Sequence, residues 1–169
     1  MMTKLSLAYG EDTALHNTFE AIYDRQCNMV YRVCFSYMKN AADAEDVVAD
    51  VFLKLLESGK TFQSIEHEKA WLLRTAINKC KNLLKHWWRS RADIDDFENL
   101  ESNDPLVENE LLQTVWNLPV RYKDVIILYY YEGCSTAEVA QILKKPHSTI
   151  RNQLVEARKL LKGVLESEE

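Results

Sequence analysis

The chain has 169 residues, of which 47% are hydrophobic and 28% charged, a balance that excludes fibrous, collagen-like and wholly disordered proteins. It contains only 4 glycines and 3 prolines, so few positions favour tight turns and the composition favours a helical protein. The net charge of -5, taken over the whole chain, argues against binding to nucleic acid.

Membrane, metal and enzyme classes find little support in the sequence. The longest apolar run, Val125–Tyr131, is far shorter than the ~20 residues that span a bilayer, and the first ten residues lack a signal-like apolar core. We therefore expect a cytoplasmic protein without membrane insertion.

The 4 cysteines form no CxxC pair and the 4 histidines are dispersed, which favours reduced structural thiols over a zinc site or a disulfide framework. No GxxxxGK or HExxH motif is present, so we expect no enzyme, no catalytic residue, no metal, no cofactor and no small-molecule substrate.

Three long helices are predicted in the first half of the chain from apolar residues that recur every three or four positions. The first covers Leu15–Met38. The second begins with Asp43 as an N-cap residue and runs to about Ser58. A loop over 59–64 leads to the third helix, which ends near Arg89.

An acidic segment divides the chain. Residues 92–110 carry eight acidic and no basic residues and show no apolar period, so a flexible linker is predicted over 92–105. The segments on either side, 60–91 and 111–163, are both basic, with net charges of +6 and +4. Two basic segments joined by an acidic one suit two separate contacts with a polyanion. The predicted domains therefore cover residues 10–91 and 106–165.

The second half of the chain is predicted to be helical as well. Helices are expected over Leu106–Asn117 and Arg121–Glu132, and Gly133 follows as a helix stop. A short helix and a longer helix then make a helix-turn-helix candidate.

The helix-turn-helix has clear local signals. Ser135 and Glu138 have the spacing of a capping box, which opens a short helix over Thr136–Leu143. After Pro146, a last helix turns an apolar seam inward, formed by Ile150, Leu154, Ala157, Leu161 and Val164.

Two helices present polar stripes that fit nucleic acid. On the third helix, one stripe opposite the apolar seam contains Arg74, Asn78, Lys81, Lys85 and Arg89. Asn82 flanks this stripe and Trp71 brackets it, as single-strand binding by cations and stacking surfaces requires. The last helix exposes a stripe that fits a major-groove reader, including Ser148, Arg151, Asn152, Arg158 and Lys159. The alternative for both helices is an ordinary solvated face, and Glu156 among the bases of the last helix favours that alternative.

The second helix carries a face that is both acidic and apolar. Its acids are Asp43, Glu45, Asp46 and Asp50, and Phe52 and Leu56 lie beside them. Such a face can dock a basic partner surface, although a solvated face with core residues is the commoner outcome.

Three segments resemble the two conserved domains of bacterial extracytoplasmic-function (ECF) sigma factors of the sigma-70 family, in the same order. They read DAEDVVADVFLKLL (43–56), KAWLLRTAINKCKNLLKHWWR (69–89) and LPVRYKDVIILYYYEGCSTAEVAQILKKPHSTIRNQLVEARKLLK (118–162). The resemblance covers roughly residues 17–163. It implies an all-α fold of two small helical domains, a three-helix domain and a helix-turn-helix domain, joined by the flexible acidic linker.

The resemblance also implies a function and its sites. The chain is expected to bind core RNA polymerase, direct it to promoters and initiate strand opening, with an anti-sigma factor as a further partner. The polymerase-binding residues implied are Asp43, Asp46, Asp50, Val51, Phe52 and Leu55. Those implied for single-stranded −10 DNA are Thr61, Phe62, Gln63, Ser64, Trp71, Arg74, Asn78, Lys81, Asn82, Lys85 and Arg89. Those implied for duplex −35 DNA are His147, Ser148, Thr149, Arg151, Asn152, Arg158 and Lys159.

One departure and one alternative accompany this interpretation. Gln153 and Glu156 stand in the last helix where the family is usually basic, which bears on the strength and sequence of the −35 contact but not on the fold. The alternative function is a free-standing helix-turn-helix regulator, which would leave the face over 43–56 without a polymerase to bind.

Overall fold

The computed structural model describes residues 17–91 and 110–167. The first part forms three helices: α1 (Phe19–Met38), α2 (Ala41–Ser58) and α3 (Ile65–Arg91). They pack as one bundle, the N-terminal domain, in which α1 contacts both α2 and α3. The three long helices predicted from apolar spacing are therefore confirmed within the described residues. Among the described helices, none is long and apolar enough to cross a membrane.

Helix α2 begins at a different cap from the one predicted. Its N-cap is Asn40, whose backbone is extended and whose Oδ1 accepts a hydrogen bond from the N–H of Asp43 at 2.8 Å. The prediction of Asp43 as the cap was wrong, because asparagine caps as well as aspartate and Ala41 and Ala42 continue the helix towards it. At the other end, Gly59 has φ +58, a left-handed conformation that glycine adopts without strain.

A buried carboxylate ties α3 to α1. Glu68 is only 1% exposed and lies in the first turn of α3. Its Oε1 accepts hydrogen bonds from Arg25 Nε at 2.9 Å and from Gln26 Nε2 at 2.8 Å, and Arg25 Nη2 donates to the other carboxylate oxygen. The buried charge is therefore fully paired, as its burial requires.

The second part of the chain forms the C-terminal domain. It contains α4 (Glu110–Trp116), α5 (Val120–Ile126), a π-helical turn (Ile127–Tyr131), α6 (Thr136–Leu143) and α7 (His147–Ser167). The prediction of two small helical domains is confirmed. The predicted linker over 92–105 lies outside the described residues.

The predicted helix over Arg121–Glu132 changes character in its second half. Glu132 N–H bonds to the carbonyl of Ile127 at 3.0 Å, five residues back, which defines the π-helical turn. Apolar periodicity gives no signal for this widening. Gly133, with φ +64, then ends the helix as predicted.

The short helix-turn-helix signals are confirmed at atomic level. The Ser135 hydroxyl accepts from Glu138 N–H at 3.2 Å, and the Glu138 carboxylate accepts from Ser135 N–H at 2.6 Å. This is the reciprocal capping box predicted from their spacing. The two hydrogen bonds fix the start of α6.

Lys123 is an unusual core residue of α5. It is 6% exposed, and burial together with the neighbouring charge of Lys39 lowers its pKa to about 8. A folded-state pKa below the unfolded value of 10.5 means that the folded chain holds fewer protons between these two pH values. The buried charge therefore opposes folding at neutral pH, and this unfavourable contribution of Lys123 is relieved as the pH increases from about 8 towards 10.5.

We expect Lys123→Met to stabilise the C-terminal domain at pH 7 by about 2 kcal/mol, because it removes a poorly solvated charge while keeping the side-chain length. The gain in melting temperature of the variant over the parent chain should be largest at pH 7 and should shrink towards pH 10. Lys54→Met, which changes an exposed lysine of α2, is the matched control and should leave the pH profile unchanged. A variant that is less stable than the parent at pH 7 would contradict this expectation.

Candidate nucleic-acid interface

Helix α7 turns one face into the C-terminal domain and the other to solvent. Ile150, Leu154 and Ala157 are buried and form its inner seam. The opposite face exposes the polar residues predicted for duplex DNA, namely His147, Ser148, Arg151, Asn152, Arg158 and Lys159, whereas Thr149 is half-buried. The exposed stripe is compatible with a major-groove reader.

The turn before α7 is held by contacts from both of its flanks. Lys144 takes a left-handed conformation with φ +53 at the end of α6. His147 Nε2 lies 2.6 Å from Thr136 Oγ1, which connects the first residue of α7 to the first residue of α6. The angle at which α7 leaves the turn is therefore set by local hydrogen bonding.

Arg158 is held on the surface of the π-helical turn. Its Nε donates to Tyr130 Oη at 2.6 Å, and its guanidinium lies 5.8 Å and 5.6 Å from the ring centres of Tyr129 and Tyr130. Cation–π contacts of this kind orient a guanidinium while leaving other donors available. The tyrosines were not predicted as site residues, since only the three-dimensional fold brings them to α7.

The polar stripe of α3 is divided into two parts. Four residues predicted for −10 DNA are exposed on the helix: Asn78, Asn82, Lys85 and Arg89. Arg74 and Lys81 instead make hydrogen bonds to the C-terminal domain. The part of the stripe that DNA could reach in this structure therefore consists of these four exposed residues.

The loop before α3 is held in place by the backbone and ring contacts of Phe62. Phe62 is 5% exposed, and its backbone N–H and carbonyl are both bonded to the side chain of Asn17, at 2.9 and 3.1 Å. Its ring packs edge-on against His67 and beside Trp71, with ring centres 5.7 and 5.9 Å apart. The aromatic face predicted to stack on DNA is therefore buried, whereas Thr61, Gln63 and Ser64 are exposed.

Three apolar residues of α2 that were predicted to bind the polymerase are buried. Val51, Phe52 and Leu55 are 0%, 2% and 4% exposed and belong to the core, so they cannot form a docking surface. The exposed apolar residues of α2 are Leu53 and Leu56, at 52% and 59%.

Leu53 could have been found from helix spacing. It lies seven residues after Asp46 and three after Asp50, both of which are exposed, so the three residues share one face. Asp43 is half-buried and bonded to the cap residue Asn40. The exposed surface of α2 thus combines carboxylates with leucines.

Neither a metal site nor a reactive buried thiol is found in the part of the chain that the structure describes. Within residues 17–91 and 110–167, no group of histidine, cysteine and acidic residues could hold a metal ion. The thiols of Cys34 and Cys80 are free and fully buried, and the hydrogen bond between them and their burial raise the pKa of Cys80. Protonated, inaccessible thiols are unreactive.

Comparison with protein families matches both parts of the chain. Residues 22–91 match sigma-70 region 2, and residues 108–161 match sigma-70 region 4. The RNA polymerase sigma factor SigV of Bacillus subtilis is 30% identical over 142 residues, which cover 82% of this chain and 86% of that protein. The ECF RNA polymerase sigma-E factor of Haemophilus influenzae is 29% identical over 166 residues, covering 88% and 87%.

Solved structures show the same fold. The sigma factor RpoE from Bartonella quintana, in complex with the anti-sigma factor NepR, is 21% identical with a TM-score of 0.75, and the match covers 89% of this chain and 98% of that chain. CnrH in complex with the cytosolic domain of CnrY is 20% identical with a TM-score of 0.66, covering 89% of each chain.

Proposed function

Because the chain is an ECF sigma factor of the sigma-70 family, which directs RNA polymerase to promoters, we propose that each of its two basic helices recognises a different promoter element. On this proposal residues 10–91 bind the polymerase and take the −10 element as a single strand, and residues 106–165 read the −35 element as duplex. Residues 92–105 join the two readers. The observation that supports this division most directly is the exposed polar stripe on each of α3 and α7, opposite a buried seam.

Helix α7 is the proposed −35 reader. Ser148, Arg151 and Asn152 lie exposed in its first turns, where a recognition helix contacts base edges. Arg158 and Lys159, two turns later, are placed to contact the phosphate backbone. Glu156 pairs with Lys159 at 3.0 Å, and its carboxylate lowers the positive charge of this face. We therefore expect a modest −35 affinity that depends on the polymerase.

Helix α3 and its preceding loop are the proposed −10 reader. A base can be read on its Watson–Crick edge only after it leaves the stack, which costs a few kcal/mol. Gln63 and Ser64 are exposed on a loop that Phe62 anchors, so they can accept or donate hydrogen bonds to such a base. Lys85 and Arg89, further along α3, can hold the phosphates of the same strand.

The polymerase-binding face is proposed to be the exposed side of α2. Asp46 and Asp50 supply its charge, and Leu53 and Leu56 supply the apolar contact in place of the three buried residues. A rim of carboxylates around exposed leucines fits a basic partner surface with an apolar centre.

Replacing Asp46 and Asp50 with lysine should weaken binding to core polymerase about tenfold or more, because like charges then face each other across the interface. The ion pair between Asp50 and Lys79 is long, at 3.8 Å, and solvent reaches both side chains, so its loss should not unfold the chain. Glu20→Lys with Asp24→Lys on α1 is the matched control, since both residues are exposed outside the proposed face and the charge change is the same. Affinity for core polymerase can be measured by fluorescence anisotropy, and an unchanged affinity in the folded variant would count against this face.

Further properties are proposed on the same basis. The chain is a specificity subunit without catalytic activity of its own, and it works in the cytoplasm, where the polymerase is found. Two solved relatives are complexes, one with an anti-sigma factor and one with a cytosolic domain, and we propose an anti-sigma partner for this chain too.

Run-off transcription on fragmented genomic DNA tests the proposed function. The chain with core polymerase should yield discrete transcripts that core polymerase alone does not make. Binding of the isolated chain to duplex DNA with the affinity of a dedicated repressor, ~10⁻⁸ M or tighter at physiological salt, together with no copurification with core polymerase, would favour the free-standing regulator instead.

A further inference from the structure

We propose that Asn17 is a positioning residue for −10 recognition, and that its side chain holds the loop over 59–64 so that Gln63 meets the unpaired base in one orientation. Asn17 lies immediately before Thr18, the N-cap of α1. It is 45 positions away from Phe62, the loop residue that it contacts, so no local pattern connects the two. The inference rests on the proposed role of this loop in binding the −10 strand.

The side chain of Asn17 bonds to both backbone polar groups of Phe62. The N–H of Phe62 donates to Asn17 Oδ1 at 2.9 Å, and Asn17 Nδ2 donates to the carbonyl of Phe62 at 3.1 Å. Two residues of antiparallel strands exchange a pair of bonds in the same way, and here a side-chain amide supplies one partner. The Phe62 carbonyl shares a peptide plane with the N–H and Cα of Gln63. Asn17 therefore sets the direction in which the chain enters Gln63.

The next residue, Ser64, fixes the chain on the other side of Gln63. Its hydroxyl accepts from the N–H of His67 at 3.1 Å, and its carbonyl accepts from the N–H of Glu68 at 3.1 Å, as the cap of a helix does. Gln63 is exposed and lies between these two fixed residues. A side chain whose backbone is fixed before binding loses less conformational entropy when it binds a base.

The buried ring of Phe62 does not fix the loop backbone by itself. Its contacts with His67 and Trp71 restrain the side chain, whereas the peptide planes on either side of the Phe62 Cα keep their own rotational freedom. The two bonds to Asn17 remove that freedom. Asn17 and Gln63 also line the same cavity, of about 190 Å³, so a shift of the Asn17 amide changes the surface beside Gln63.

Discrimination between bases of the −10 element tests positioning separately from stability. On a promoter identified by the run-off assay, each −10 base is varied, and the position at which Gln63→Ala changes the preference is selected. The base ratio is the transcript yield with the best base at that position divided by the yield with the worst. Asn17→Ala should lower the base ratio as far as Gln63→Ala does, by about fivefold or more, as expected for an amide contact to a base edge. The double variant should lose no more than either single variant, because Asn17 acts through Gln63.

Thr18→Ala is the matched control. It removes the hydrogen bond that Thr18 Oγ1 accepts from the N–H of Ala21 at 3.3 Å, at the start of the same helix, and leaves the bonds to Phe62 in place. It should lower the melting temperature of the N-terminal domain slightly and leave the base ratio unchanged.

Asn17→Asp is the second variant, and it has nearly the same shape as the parent side chain. It keeps an acceptor for the N–H of Phe62 but sets a carboxylate oxygen against the Phe62 carbonyl, so it should lower the base ratio as well. The added negative charge weakens binding to every −10 sequence alike, and the base ratio cancels that effect.

Amide hydrogen exchange of the full chain tests the same contact without DNA. The N–H of Phe62 should exchange about fivefold or more faster in Asn17→Ala than in the parent chain, because it loses its acceptor, while the N–H of His67 should change less. An unchanged rate at Phe62 would overturn the proposal, and so would a variant of Asn17 that keeps the parent base ratio. If Gln63→Ala changes no base preference, the proposed −10 role of the loop fails and this inference fails with it. If Gln63→Ala lowers the base ratio and Asn17→Ala does not, the inference alone fails.

Discussion

Arg151→Ala is expected to reduce transcription from a promoter identified by the run-off assay by about 5-fold to 150-fold, since a bidentate contact to a base edge is worth ~1 to 3 kcal/mol. Arg151 lies exposed in the second turn of α7, beside the buried Ile150 that fixes its position. The substitution removes no buried group and should leave the unfolding transition unchanged. Transcript yield at limiting sigma concentration is the measurement.

A template whose −10 region is already open distinguishes a defect in −10 strand binding from a defect in −35 recognition. Gln63→Ala should lose much of its defect on this template, because the loop acts when the strands separate. Arg151→Ala should keep its defect wherever −35 binding limits recruitment. Phe62→Ala is unsuitable as the probe, because the buried ring supports the loop and its removal would disturb Thr61 and Gln63 together. If Arg151→Ala and Gln63→Ala respond alike to the bubble, the division of roles is wrong even though the family assignment stands.

Glu68→Ala should lower the free energy of unfolding of the N-terminal domain by about 2 to 4 kcal/mol. Removing one member of a buried ion pair typically costs ~3 to 5 kcal/mol because the other charge loses its partner. Here the loss is reduced, since 24% of the Arg25 side chain is exposed and solvent can partly rehydrate it. Gln26 also loses its hydrogen-bond acceptor and is itself buried.

The control is Glu66→Ala, two residues earlier in the same helix and exposed, which should change stability by no more than about 0.5 kcal/mol. Urea unfolding followed by circular dichroism measures both variants. Equal effects from the two substitutions would mean that the Glu68 contacts contribute little net stability.

The parts of the fold set by local rules were predictable from the sequence. The Ser135 and Glu138 capping box, the Gly133 stop and the Ile150, Leu154 and Ala157 part of the α7 seam depend on residues within one helical turn or one helix face, and these are present in the structure. Leu161 is half-buried, and the predicted seam residue Val164 lies outside the side chains that the structure describes. The cap of α2 was misplaced by three residues because Asn40 and Asp43 satisfy the same local rule. The π-helical turn was missed because it preserves the apolar character of its segment.

The sites were less predictable, because exposure depends on which of two apolar faces finds a partner. Phe52 and Leu56 both looked available on α2, but the fold buries Phe52 in the core and leaves Leu56 exposed. Contacts between distant parts of the chain gave no signal at all. Tyr37 and Asp124 are 87 positions apart, and Arg74 and Ile142 are 68 apart, so no local pattern could pair them.

The guanidinium of Arg74, which bonds to the carbonyls of Gln141 and Ile142, also affects the electrostatics of the short helix α6. The carbonyl groups at the end of a helix carry a partial negative charge, and a cation placed there stabilises the last turn. In α6 that cation comes from another domain. Without the Arg74 guanidinium, the carbonyl groups of Gln141 and Ile142 would lose this cation, and the turn between α6 and α7 would fray more readily. The angle of helix α7 in one domain is thus held in part by a side chain of the other domain.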